Sequence, residues 1–64
     1  MHLREDEFQA LLSALRAEDP RARQEAAIAL SQVRDARTIA PLLAALEDED
    51  ATVRANAAAG LGLN

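Results

Sequence analysis

Two arginines stand at the same distance behind an aspartate. Arg23 follows Asp19 by four residues and Arg54 follows Asp50 by four. On a helix, positions i and i+4 share a face, so each spacing predicts a charge-assisted bond within one turn. That chemistry is structural, with substrate binding as the alternative. A second candidate is the acidic run Glu47, Asp48, Glu49 and Asp50. Calcium takes about six to eight oxygens from a loop shaped around it, with a glycine at its centre. That spacing is absent, so the run reads as a solvated turn in which Asp50 caps the next helix. Nucleophilic catalysis has little to draw on: there is no cysteine, the serines are Ser13 and Ser31, and the one histidine is His2. Nucleophile, base and orienting acid must meet in one pocket. The expectation is a protein that is not an enzyme, with no catalytic, cofactor or metal site.

The elements that position these groups come in two nearly equal sets. Residues 7–33 and 38–64 align without a gap at a spacing of thirty-one and are identical at ten of twenty-seven positions. A fixed period marks a stacked-repeat architecture. In the first helix Phe8, Leu11, Leu12 and Leu15 fall at i, i+3, i+4 and i+7, and Ile39, Leu42, Leu43 and Leu46 repeat that stripe in the third. The second helix carries Ala22, Ala26, Ala27, Leu30 and Val33, and the fourth carries Val53, Ala57, Ala58 and Leu61. Small alanines let helix axes approach closely. Asp19 is an N-cap with Pro20 at the first helical position, Asp50 caps the fourth helix and Asp35 the third. Pro41 lies inside the third helical pattern, which predicts a kink or a tighter first turn over 36–40. Gly62 is a C-terminal stop. Short links force each helix antiparallel to the one before, so the expected fold is all-α: four helices in two antiparallel hairpins, an α-solenoid fragment.

Composition bounds the rest. Sixty-four residues make one small domain of marginal stability. Half of the residues are apolar, Phe8 is the one aromatic, and the net charge is −4, carried by eleven acids against seven arginines. Nucleic acid is not the expected partner, because phosphate binding needs a basic face. The segment 20–37 does hold Arg21, Arg23, Arg34 and Arg37, which keeps DNA as the last-ranked reading. No apolar run reaches the ~20 residues needed to span a bilayer, and no signal-peptide pattern opens the chain. The expected location is cytoplasmic.

The second unit reads D-x-x-V-R-x-x-A-A-x-x-L-G, carried by Asp50, Val53, Arg54, Ala57, Ala58, Leu61 and Gly62. The first reads D-P-x-A-R-x-x-A-A-x-x-L, carried by Asp19, Pro20, Ala22, Arg23, Ala26, Ala27 and Leu30. Between them Asp35 to Leu46 reads D-x-x-x-I-x-P-L-L-x-x-L. This resembles the short HEAT-like repeat named after phycobilisome lyases, over residues 7–64. Ser31 and Arg34 depart from it at positions where glycine is usual. The resemblance implies that Arg23 and Arg54 tie one repeat to the next. It also implies a role in protein contact, as a lyase subunit, scaffold or fused interaction domain.

In repeats of this type the second helices line one side of the stack. Their positions off the core stripe are Arg21, Gln24, Glu25, Ile28 and Gln32, then Thr52, Ala55, Asn56, Ala59 and Leu63. None is identical between the units, which fits a partner-facing surface and equally fits an absence of constraint. Leu61 and Leu63 mark an open apolar end. Two repeats are fewer than the three or so that stability usually takes. The expectation is therefore an interaction module that self-associates, a twofold dimer being favoured because closed symmetry stops filament growth. The alternative is an accessory subunit or excised piece of a larger repeat protein, such as a chromophore-lyase component.

Overall fold

The computed structural model describes residues 3–63 and holds four α-helices with no strand among them. Helix α1 spans Glu5–Ala14, α2 Pro20–Ser31, α3 Ile39–Ala45 and α4 Ala51–Gly60. A 3-10 turn, Ala36–Thr38, leads into α3. Helices α1 and α2 form the first hairpin and α3 and α4 the second. The closest pair is α2 with α4, so the Ala-rich helices meet at the joint between repeats.

Each predicted cap is present. The Asp19 carboxylate accepts the Arg21 amide and Pro20 opens α2. Asp50 accepts the Val53 amide at 3.0 Å, and Asp35 accepts the Arg37 amide ahead of the 3-10 turn. Pro41 falls in the first turn of α3, where a missing N–H costs least. The 3-10 turn supplies the tighter geometry expected over 36–40, and Thr38 fixes it by donating its hydroxyl to the Asp35 carbonyl. Helix α4 ends in a Schellman motif. Gly62 sits at φ 75, its amide donates to the Ala59 carbonyl, and the Leu63 amide donates to Ala58.

The core is small and shared by both repeats. Ala27, Leu30, Leu42, Ala45, Val53 and Ala57 are buried together, with Phe8, Leu11, Leu15, Leu46 and Leu61 packed around them. At Gly60 an added Cβ would lie 2.7 Å from the Ser31 Cβ and 2.9 Å from its Cα. Glycine there is what lets the end of α4 approach the end of α2.

One expectation changes. The apolar stripe expected on the third helix divides: Leu42 and Leu46 turn toward the core, while Ile39 and Leu43 are each 51% exposed. An i, i+3, i+4, i+7 stripe is wide enough to cover two neighbours.

Candidate protein-docking interface

The joint between the two repeats is polar at its rim, and Arg23 is its centre. The side chain is almost buried, at 9% exposure. Its Nη1 donates to the Ala17 and Glu18 carbonyls at 2.8 and 2.9 Å, holding the turn of its own repeat. Its Nε donates to Asp48 at 3.0 Å, and Nη2 reaches the other Asp48 oxygen, so the guanidinium grips the turn of the next repeat. The i, i+4 bond to Asp19 expected from spacing gives way to these contacts, because the Asp19 carboxylate is already taken by the start of its own helix. The tie between repeats that the family resemblance implied is present at Arg23, with Asp48 as its acid.

Two more polar contacts lie beside it. The Gln24 amide donates to the Asp50 carboxylate at 3.2 and 3.3 Å, and the Asn56 amide donates to the Gln24 carbonyl at 3.3 Å. The Val53 amide and then Gln24 hold the Asp50 carboxyl below the ordinary aspartate range. At the other edge, Arg37 donates to Asp35, Glu5 and the Leu3 carbonyl and lies 5.1 Å from the centroid of Phe8. The Asp35 carboxylate raises its pKa further above an already high value. Of the four arginines in segment 20–37, Arg23 and Arg37 are thus bound into ion pairs with acids. Arg21 and Arg34 stand exposed.

The acidic run resolves into separate duties. Asp48 receives Arg23, Asp50 caps α4, and Glu47 and Glu49 are exposed. Among the described residues no three His, Cys, Asp or Glu side chains group to hold a metal. Ser31 donates its hydroxyl to the Ile28 carbonyl in the last turn of α2. His2 lies outside the described residues. No helix among them is long and apolar enough to cross a membrane.

The lateral residues singled out in the sequence divide into two groups. Arg21, Glu25, Ile28 and Gln32 on α2, Thr52, Ala55 and Ala59 on α4, and Leu63 beyond it are exposed. Gln24 and Asn56 are half-buried and spent on the joint, and Leu61 packs against the core. Ile28, 42% exposed, is the one large apolar group open to solvent on α2.

The helical hairpins, the thirty-one-residue period and the Arg23 joint together describe one joint of an α-solenoid. A family model for HEAT repeats matches residues 4–63. The chain belongs to the HEAT repeats family. No curated protein and no solved structure matches it. HEAT repeats generally act by protein–protein contact.

The family's stacking rule, that each repeat covers its neighbour, identifies residues that the sequence reading missed. Moving repeat one forward by one period places Phe8 on Ile39, Leu12 on Leu43 and Arg23 on Arg54. Leu12 is half-buried and faces Pro41 and Ala44 of α3 across an open cleft of about 320 Å³. Phe8 is half-buried beneath Arg37. Their counterparts Leu43 and Ile39 are half exposed. The Arg54 Nη1 donates to the Asp48 carbonyl at 2.7 Å, the period-shifted copy of the bond from Arg23 to Ala17. Its Nε and Nη2, the donors that grip the neighbouring turn in Arg23, have no partner among the described residues.

Proposed function

We propose that this HEAT-repeat chain is a protein-contact module that works end-on, with the outer face of repeat two receiving another helical repeat as the next layer of the stack. One observation carries the reading: Leu43 and Ile39 are each 51% exposed at positions whose counterparts one period earlier, Leu12 and Phe8, are half-buried. Burial of a leucine of that size stabilises by roughly 1.5–3 kcal/mol, which is enough to bias association.

Two occupants fit such a face. A second copy related by a twofold axis would make an eight-helix assembly. A different repeat protein would make this chain an accessory subunit, of which a chromophore-lyase assembly of the phycobilisome type is one instance. The open donors of Arg54 count against a further mode, a second copy stacked head-to-tail, because they ask for an acid that such a copy does not place at the register of Asp48.

The end-on reading is tested by supplying the next layer in cis. A copy of residues 34–64 appended after residue 64 is expected to raise the melting temperature. In the extended chain Leu43→Ser becomes as damaging as Leu12→Ser is in the parent. An extension that leaves stability unchanged, with Leu43→Ser still harmless, contradicts it.

A further inference from the structure

We infer that repeat one and the outer face of repeat two are not complementary, and that this face selects a helical repeat of other chemistry, one with a carboxylate in its inter-helix turn and a side-chain donor midway along its second helix. The inference rests on the end-on reading above and specifies its partner.

The internal joint serves as the template. It has three polar ties: Arg23 to Asp48, Gln24 to Asp50, and Asn56 to the Gln24 carbonyl. Shifting each by one period shows what a second copy would offer if stacked head-to-tail. Arg54 would meet Ala17, the counterpart of Asp48. Asp19, the counterpart of Asp50, would meet the methyl group of Ala55 in place of an amide donor. Glu25, the counterpart of Asn56, would bring a carboxylate to the Ala55 carbonyl. The first two ties are lost and the third becomes acceptor against acceptor. Glu18 and Asp19, the counterparts of Glu49 and Asp50, remain as the acids near Arg54; in the internal joint Glu49 stands 3.9 Å from Arg23 and Asp50 feels its charge.

The physical consequence is a one-way face. Head-to-tail contact between identical copies grows step by step, into rings where the rotation closes and into filaments where it does not. Leaving a guanidinium without its acid and two acceptors opposed costs that growth its affinity, a repulsive element of the kind specific interfaces use against wrong partners. The apolar part of the face, Ile39 and Leu43, is indifferent to partner identity. Arg54 and the Ala55 carbonyl supply the choice: an aspartate or glutamate at the register of Asp48, and an asparagine or similar donor at the register of Asn56.

The test gives the chain the end it lacks. The double variant Ala17→Asp/Glu25→Asn carries both required groups on its own first repeat. Sedimentation velocity is expected to show concentration-dependent head-to-tail growth of this variant. The unmodified chain at the same concentrations does not grow. Adding Arg54→Ala to the double variant weakens the growth by about tenfold or more, the scale of losing one partner of a desolvated charge pair. Should the double variant fail to fold, Ala17→Asp alone answers the same question at an exposed turn. The inference is overturned if the variant shows no more association than the parent, or if its association ignores Arg54→Ala. It is also overturned if the unmodified chain forms a dimer that Leu43→Ser dissolves and Arg54→Ala does not. In that last case the end-on face stands and the selection by charge falls.

Discussion

Arg23 does at one position what few side chains in so small a molecule do: it closes its own turn and grips the next. Replacing it with alanine strips two backbone carbonyls and Asp48 of their donor together. Removing one partner of a largely buried charged network costs about 2–4 kcal/mol, most of the stability a domain of this length holds. Urea unfolding is expected to show that loss for Arg23→Ala and almost none for Arg4→Ala, whose side chain is exposed. Equal losses would remove Arg23 from the joint. Asp50 makes a separate prediction in acid. The Val53 amide lowers its folded pKa, so the native state holds the ionised form more firmly than the unfolded chain does. The stabilisation is therefore complete above the ordinary aspartate value, about 4, and fades as the pH falls through the lowered native value. Asp50→Asn keeps a capping oxygen without the titration. The melting-temperature gap between the two proteins should shrink as the pH falls from 5 toward 2; a gap of constant width contradicts the assignment. Both caps were legible in the sequence, because an N-cap is a local event. The acid that Arg23 chooses was not: Asp19 and Asp48 are equally plausible on charge, and the choice depends on how the hairpins stack.

At the scale of the helices, the elements were readable because each one is punctuated. Asp19-Pro20, Asp35, Pro41 and Gly62 all act within a turn of their own position. What the sequence did not disclose is how near the helices come. Gly60 has no unusual backbone angle, and its helical pattern would accept alanine. The position matters because an added methyl group would collide with Ser31, backbone included. Gly60→Ala gains about 1 kcal/mol of helix propensity and faces overpacking of about 1–3 kcal/mol. Chemical denaturation is expected to show a net loss of stability, with α4 displaced from α2. A stabilised variant would mean that the two helices are not as closely packed as described. The third helix teaches the complementary lesson. Its stripe was correctly seen as apolar, yet Ile39 and Leu43 face outward. Periodicity identifies an apolar face without saying whether one neighbour or two will cover it.

For the whole molecule, the period was the feature that told most. It gave the fold, and it supplies the map by which one repeat's contacts predict the other's. The same map pairs Leu43 and Ile39, exposed in repeat two, with the half-buried Leu12 and Phe8 of repeat one, and Arg54, with two unspent donors, with Arg23. The lateral α2–α4 surface, where sequence divergence had pointed, holds one large exposed apolar side chain on α2 and gives Gln24 and Asn56 to the joint. The proposed end-on contact and a contact through the exposed lateral residues Arg21, Glu25, Ile28 and Gln32 are separable by where a partner's footprint falls. The most direct test is an amide and methyl chemical-shift map. The ¹⁵N,¹³C-labelled unmodified chain is titrated with the unlabelled Ala17→Asp/Glu25→Asn chain, which displays the required groups. End-on contact predicts shifts concentrated at Ile39, Leu43, Arg54 and Ala55, with Arg21 and Ile28 unmoved. Shifts confined to Arg21, Ile28 and their α2 neighbours, with Leu43 and Arg54 silent, would contradict it.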